Sequence, residues 1–399
     1  MSIIVQKYGG SSVADPEKLK KIARMIVGLK QQNFDVVAVV SAMGKTTNQL
    51  IEMAKSLSEN PDKRELDMLL STGERITMAL LCIAINDLGF EAISLTGSQS
   101  GIVTNDRNND ARVMEVRPFR VQDELAKGKI VVIGGFQGVS YKRDITTLGR
   151  GGSDTSAVAL AAALKAERCE IYSDVDGVYT TDPNIIKEAK HLPEISYQQL
   201  QEMSEAGAKV LNAQAVQFAK EAKIALYARS TFTPGKETVI RETAPADRPS
   251  VIAVVHETDI VRFILSDKDL SSRFQRLQIF LEEKNIQMKE LSFVEDDKHQ
   301  KVSFIISKNN IHNWNGVQTG LKKLFGDSLT VDDSFAAVSI IGEGFNRDNR
   351  VVAESLKVLI DAGIKFSGLA TTSFRLSILV RKEELENTII VLHKHWLES

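Results

Sequence analysis

Through roughly the first 240 residues, short apolar runs alternate with longer stretches of helical periodicity, and four of these runs end in a glycine-bearing turn. Residues 3–5, 36–40, 92–95, 130–133, 170–172 and 224–227 read as strands, with amphipathic segments between most of them. That order predicts an α/β fold: a mainly parallel sheet sandwiched by helices, with functional loops after the carboxyl ends of the strands. Gly9-Gly10, Ser41-Ala42-Met43-Gly44, Thr96-Gly97 and Gly134-Gly135-Phe136 follow the first four strands and are expected to converge on one edge.

The stretch Thr147-Leu148-Gly149-Arg150-Gly151-Gly152-Ser153-Asp154 then runs a glycine loop straight into an alanine-rich helix. Glycine lets backbone N–H groups approach an anion closely, and a helix start adds partial positive charge, so a phosphate or carboxylate suits this place. Ser41-Ala42-Met43-Gly44-Lys45-Thr46-Thr47 ends like a phosphate-binding P-loop, but the first glycine of that motif would fall at Val39, inside a strand, and a P-loop is rejected.

At 399 residues, two or three domains are expected. The 50 Lys+Arg against 52 Asp+Glu give no support for a nucleic-acid or anionic-membrane partner, which leaves a small-molecule substrate. Cys82 and Cys169 sit in apolar surroundings away from any metal-ligand spacing, so buried reduced thiols and a cytoplasmic location are expected. The β-like Ile3-Ile4-Val5 start leads us to expect no export signal, and no uninterrupted apolar run approaches about 18 residues.

The composition breaks around residues 242–249, a linker by its Pro, Ala and Thr content. Beyond it, 260–265, 271–284, 288–293, 301–307 and 317–325 read as βαββα, with 328–332 a further strand. The pattern repeats over 336–341, 350–362, 365–369, 375–380 and 384–395, as two ferredoxin-like units in tandem.

Three segments together carry a resemblance: Lys7-Tyr8-Gly9-Gly10-Ser11-Ser12-Val13, the 147–157 stretch, and Tyr172-Ser173-Asp174-Val175-Asp176-Gly177-Val178-Tyr179-Thr180-Thr181-Asp182-Pro183. The chain resembles the aspartate kinases of the amino-acid kinase family. The resemblance implies a catalytic domain over 1–242, a linker and strand over 243–257, and ACT units over 258–332 and 333–399. In that family the first ACT unit is inserted into the second, so the strand at 250–255 is expected to pair with the last unit. It further implies phosphoryl transfer from ATP, with Mg²⁺ carried by the nucleotide, to the side-chain carboxylate of L-aspartate. No metal ligand is assigned directly. An amino-acid effector and a homo-oligomer formed through the ACT units are implied as well.

Taken alone, Lys7 is an ordinary strand-end lysine; the glycine pair and the motif make it the candidate for stabilising charge on the transferred group. Asp154, which by itself reads equally as a helix cap, orients Lys7 in the resembling family, with a contact to metal open beside that role. Ser41, Thr47, Phe136 and Ser153 are implied substrate contacts, while Thr46 reads as an N-cap. Glu74 is the implied partner of the substrate ammonium and Arg150 of its carboxylate, where a planar fork suits the ligand. Gly9, Gly10, Ser11, Ser173, Asp174, Tyr179, Asp182 and Lys209, with Lys7, occupy nucleotide positions.

Two departures stand out. Asn184 stands where the family carries an arginine directed at the phosphates, and Asn212-Ala213-Gln214 stand where it shows a His or Ser followed by Pro-Arg, which predicts weaker nucleotide affinity or compensation by Lys187 or Arg229. In the ACT region Gln287 stands at an aspartate position, residues 265–270 lack a glycine, and Thr371-Thr372-Ser373 ends in Phe374, so feedback control is expected to be weakened or altered. Gly342-Glu343-Gly344-Phe345 keeps a small-residue loop that could retain one site. Two other readings stand beside aspartate kinase: a kinase of the same fold for another acidic amino acid, and a non-catalytic ACT-type amino-acid sensor.

Overall fold

A computed structural model describes every residue except 150, 209–210, 234, 244–249, 268–269, 285, 296–299, 309–310, 312–313 and 399. The chain divides into two compact units. One comprises Met1–Tyr179, Lys190–Glu205 and the described residues of 209–244; the other comprises Thr180–Ala189, 206–208 and the described residues from 250 onward. The division is therefore not a single cut near residue 242.

In chain order the first unit contains β1 (Ile3–Tyr8), α1 (Pro16–Gln31), β2 (Asp35–Val40), α2 (Thr46–Leu57), α3 (Lys63–Leu70), α4 (Thr72–Asp87), β3 (Ala92–Leu95), β4 (Ile102–Thr104) and β5 (Val113–Val116). It continues with α5 (Phe119–Ala126), β6 (Ile130–Gly134), β7 (Gln137–Ser140), β8 (Ile145–Thr147), α6 (Gly152–Leu164), β9 (Arg168–Ser173), β10 (Val178–Tyr179) and β11 (His191–Leu192). β12 (Glu194–Ser196), α7 (Tyr197–Glu205), α8 (Ala213–Ala222), β13 (Leu226–Ser230) and β14 (Glu237–Arg241) complete it.

Eight strands form one sheet in the order β12-β14-β13-β9-β1-β2-β6-β3, parallel throughout except between β13 and β14. β1 lies between β2 and β9, with Lys7 opposite Val39 and Ile171, so the sheet's direction of winding reverses beside it. In an open parallel sheet such a reversal opens a crevice at the carboxyl ends. Residues 36–40 are all fully buried, the uninterrupted apolar run expected of a strand covered on both faces. α1 starts at Pro16, capped by Asp15, which accepts from Lys18 N–H at 2.9 Å, and buries Leu19, Ile22, Ala23, Ile26 and Val27 at helical spacing.

A second, four-stranded sheet, β5-β4-β7-β8, is not announced by the sequence pattern, because strands of three or four residues are too short to display a period. The helical run Lys63–Asp87 is long and apolar enough to cross a membrane by length and composition, yet half of its most apolar stretch is buried within the unit and it carries the buried acids Asp67 and Glu74. Cys82 and Cys169 are buried and unpaired.

The second unit contains β15 (Ser250–Glu257), β16 (Ile260–Asp267), α9 (Leu270–Glu283), β17 (Lys289–Glu295), β18 (Gln300–Ser307), α10 (Trp314–Phe325) and β19 (Leu329–Asp332). β20 (Phe335–Glu343), α11 (Arg350–Asp361), β21 (Phe366–Thr371), β22 (Arg375–Arg381) and α12 (Leu385–Leu397) follow. Its sheets are ordered β17-β18-β16-β19 and β15-β20-β22-β21. In the second of them β15 takes the outer place beside β20, the place that β19 takes beside β16 in the first, so the whole first module lies between two strands of the second. Ile186 packs in the core of Val338, Ile340, Leu359, Ile378 and Leu392, which ties residues 180–189 to this unit.

Backbone crowding at the sheet edge supplies a stability test. A Cβ on Gly97 would lie 1.8 Å from the Gln137 carbonyl oxygen. Gly97→Ala is expected to destabilise the fold by roughly 2–4 kcal/mol, because backbone must move to admit it. An unchanged denaturant midpoint would show that the turn relaxes freely.

Candidate active site

Alternation along β1 sends Lys7 to one face of the sheet and Gln6 and Tyr8 to the other. Lys7 Nζ lies 2.7 Å from Asp154 Oδ1, and each side chain is only 11% exposed, so the pair is screened little by water. Asp154 stands in the first turn of α6, behind Gly151, whose φ of 70° suits glycine. The Gly9 N–H donates to the Tyr172 carbonyl at 3.1 Å. The Gly9 amide is thus taken up within the sheet. The N–H groups of Gly10 and Ser11 have no protein acceptor among the described residues.

On the opposite face, Glu170 accepts from Gln6 Nε2 (2.8 Å), Tyr172 OH (3.1 Å), Arg168 Nε (2.8 Å) and Arg229 Nη1 (2.7 Å), and Tyr8 stacks on Tyr172 with ring centroids 5.0 Å apart. Burial pushes the Glu170 carboxyl up, but hydrogen bonds from Gln6 and Arg168 and the two guanidinium charges bring it below the usual carboxylate range. Arg229 also donates to Glu237 at 2.5 Å. It is engaged by two carboxylates and does not serve as the spare phosphate cation anticipated above.

Glu74, in the first turn of α4, is 3% exposed. Its Oε1 accepts from the Ala42 N–H at 3.0 Å, whereas Oε2 is buried with no partner among the described residues. Burial raises its carboxyl to about 7 against two weaker backbone hydrogen bonds. A Cβ on Gly134 would lie 3.3 Å from Glu74 Cβ, and one on Gly135 would lie 3.0 Å from Ser153 Cβ and Oγ. The two glycines therefore let Glu74 and Ser153 close in on one short stretch of chain. Ser41 sits next to Ala42, with its N–H held by the Tyr8 carbonyl at 3.1 Å. Thr47 is half-buried in the first turn of α2. Thr46 is not the cap: Lys45 holds that position without a side-chain bond, and the Thr46 hydroxyl donates to the Met43 carbonyl at 2.7 Å.

Phe136 has φ 65°, a conformation rare for an aromatic residue. Its N–H donates to Ser156 Oγ (3.1 Å) and its carbonyl accepts from the Leu148 N–H (2.9 Å), so the strained backbone is held from both sides between β6 and α6.

At the strand end after β9 the polar side chains find local partners. Ser173 Oγ donates to the Val175 carbonyl (3.2 Å), Asp174 is exposed, and the Tyr179 hydroxyl donates to Asp176 (2.8 Å), with Lys236 over its ring at 5.7 Å. Asp182 belongs to the second unit, where its Oδ1 accepts from the backbone and side-chain nitrogens of Asn184, both at 2.9 Å. Arg150 and Lys209 lie outside the described residues. Asn212 caps α8, accepting from the Gln214 N–H at 2.8 Å, and a Cβ on Gly151 would meet its Cβ at 2.6 Å. The residue that departs from the family pattern is thus a wall of the glycine loop.

The amino acid kinase family profile matches residues 2–230. The aspartokinase of Mycolicibacterium smegmatis is 38% identical over 404 residues, covering 99% of this chain and 96% of that protein. The chain belongs to the amino acid kinase family, among its aspartokinases. The aspartokinase of Bacillus sp. (strain MGA3) is 39% identical, with 99% and 97% coverage. In three dimensions the chain superposes on E. coli aspartokinase III in complex with aspartate and ADP with a TM-score of 0.84, at 24% identity and full coverage of both chains, a likeness of fold. The aspartate kinase from Synechocystis is 32% identical with a TM-score of 0.57, covering 99% of this chain and 69% of that one.

Sequence reasoning within this family missed Asp67, which is fully buried on α3. The available signal was an acid on the same face as Leu70, seven residues before Glu74, so that the two carboxylates fall two helical turns apart.

Glu74 makes stability depend on pH with a definite sign. Because its folded-state pKa is raised to about 7, the stability associated with its neutral form is complete below about 4.5 and is lost as pH climbs through 7. Without ligand, Glu74→Gln should match the parent near pH 4 and exceed it by up to about 3 kcal/mol near pH 8. Denaturant unfolding at the two pH values measures this, and a gain that did not grow with pH would contradict it.

Proposed function

We propose that this aspartokinase transfers the γ-phosphoryl group of ATP directly to the side-chain carboxylate of L-aspartate, giving 4-phospho-L-aspartate, the first step toward lysine, threonine and methionine. The observation that carries the site assignment is the pairing, in one unit, of a buried Lys7–Asp154 ion pair with a buried carboxylate oxygen on Glu74 that has no partner among the described residues. A phosphoryl group in flight spreads charge over its oxygens and needs positioning and cations more than covalent chemistry. Lys7, held by Asp154, neutralises that charge, and the Gly10 and Ser11 amides with the α6 N-terminus add fixed dipoles.

Glu74 takes the substrate ammonium, Arg150 its α-carboxylate, and Ser41, Thr47, Phe136 and Ser153 line the space between. Held at both ends, the substrate presents its free carboxylate in line with the donor, and no enzyme-bound intermediate is required. An acetylated amine would leave Glu74 Oε2 buried and unpaired, which disfavours an N-acylated substrate. Ser173, Asp174 and Tyr179 flank the nucleotide, together with Lys209. Mg²⁺ asks little of the protein: one or two carboxylates beside the phosphates suffice. Among the described residues no three metal-binding side chains come together, and the buried Asp154 is the carboxylate suited to a metal carried in by ATP. The ion supplies charge neutralisation across the phosphates.

We infer that the second unit is the regulatory one and carries the surface for homo-oligomerisation in the cytoplasm. Gln287 is exposed, and the Gly342 and Phe345 N–H groups bond to the carbonyls of Phe374 and Ser373 (2.9 and 3.1 Å), so the small-residue loop is tied to the Thr372–Phe374 turn. With no carboxylate at 287 for an effector ammonium, control by lysine, threonine or methionine should be weak; a steep sigmoidal loss of activity with any of them would contradict this.

An ATP-dependent hydroxamate assay with L-aspartate tests the activity. Lys7→Ala should lower kcat by roughly 10²–10³-fold, as loss of a transition-state charge partner does. Because Glu74 must ionise to receive the ammonium, KM for aspartate at pH 6 should be roughly tenfold that at pH 8, and this dependence should vanish in Glu74→Gln. A flat profile in the parent would remove Glu74 from substrate binding.

A further inference from the structure

Asp67 has no place in the chemistry above, yet it is among the most constrained side chains in the first unit. It is 0% exposed on α3, and its Oδ1 accepts from Thr147 Oγ1 (2.5 Å) and the Asn109 N–H (3.0 Å). Its Oδ2 accepts from Asn108 Nδ2 at 2.8 Å and shares the Asn109 N–H at 3.1 Å. Three donors on one buried carboxylate fix its position closely, since moving it would strand at least one of them away from water.

Each donor leads towards the substrate. Thr147 ends β8, three residues before Arg150, and its carbonyl accepts from the Ala111 N–H at 2.9 Å. Asn109 adopts φ 67°, and a Cβ on Gly149 would lie 2.8 Å from Asp110 Oδ1, so residues 108–111 form a floor against which the glycine loop rests. On the other side, α3 runs through Ser71 into α4, which carries Glu74, and Ser71's carbonyl accepts from Gln137 Nε2 at 3.0 Å. One carboxylate thus joins the helical run that continues into Glu74 to the strand end that leads into the glycine loop and Ser153.

We propose that Asp67 is a positioning residue that sets the spacing between the two ends of the amino-acid site, and so makes the pocket fit a four-carbon diacid. This rests on the aspartate kinase reading. It acts through geometry: a shift of about 1 Å between groups that grip opposite ends of a small substrate is enough for a large loss of productive binding. Ser173 and Tyr179 bond to Val175, Thr231 and Asp176 and not to this knot, so KM for ATP should move far less than KM for aspartate.

The test is steady-state kinetics on the full chain with Asp67→Asn and the milder Thr147→Val and Thr147→Ser. Asp67→Asn replaces an acceptor-only carboxylate with a group that must place a donor among donors, and KM for L-aspartate should rise about tenfold or more while KM for ATP stays within about twofold. Thr147→Val, which removes a single hydroxyl, should raise KM for aspartate by roughly three- to tenfold, and Thr147→Ser, which restores it, should return the parent value. An unchanged aspartate KM in both Asp67→Asn and Thr147→Val overturns the inference, as does a rise in both Michaelis constants together, which marks a merely structural role. A parent protein that forms no hydroxamate from L-aspartate would instead bring down the kinase reading itself, and this inference with it.

Discussion

The buried ion pair between Lys7 and Asp154 is the interaction on which the catalytic unit is organised. Two charges largely removed from water are tolerated only when they are close and well oriented, and here the strand and helix that carry them are set by independent features. β1 is clamped between two parallel neighbours, and its far face is anchored through Gln6 and Tyr8 to the Glu170 cluster. α6 is buried along nearly its whole length, as an alanine-rich helix without a polar face must be. The pair therefore joins two rigid elements, and a lysine so held needs little reorganisation when a phosphate arrives.

Around that pair, small residues do what large ones could not. Gly134 and Gly135 let Glu74 and Ser153 approach the same segment, Gly151 admits Asn212, and Gly10 lies against the Ala42 carbonyl. These contacts lie at strand ends and in the loop entering α6, where the missing side chains let neighbouring segments close up. Phe136 is the exception, an aromatic residue in a left-handed conformation, and its strain is held by hydrogen bonds from both sides.

Glu74 displays the opposition between stability and function in a single residue. A carboxylate buried with one oxygen unpartnered weakens the empty protein, and the same feature makes a bound ammonium favourable. Asp67, equally buried two turns earlier on the same helical run, is satisfied by three donors and belongs to the framework. Burial alone does not distinguish these two acids; the count of partners among the described residues does.

Much of this was legible in the chain itself. Alternating apolar runs specify a parallel sheet because side-chain period and strand burial are local properties, and the glycine turns mark where backbone must come close to an anion. The duplicated βαββα pattern is local for the same reason. What only the tertiary structure decided depends on contacts between distant residues: that Gly9's amide is taken by Tyr172, that Arg229 is engaged by Glu170 and Glu237, that residues 180–189 pack in the second unit, and that Asp67 reaches across to Thr147. A hydrogen bond's partner is set by the path of the whole chain, which no window of sequence contains. The residue types able to do the chemistry were thus written locally, and folding determined which of them remained unpaired.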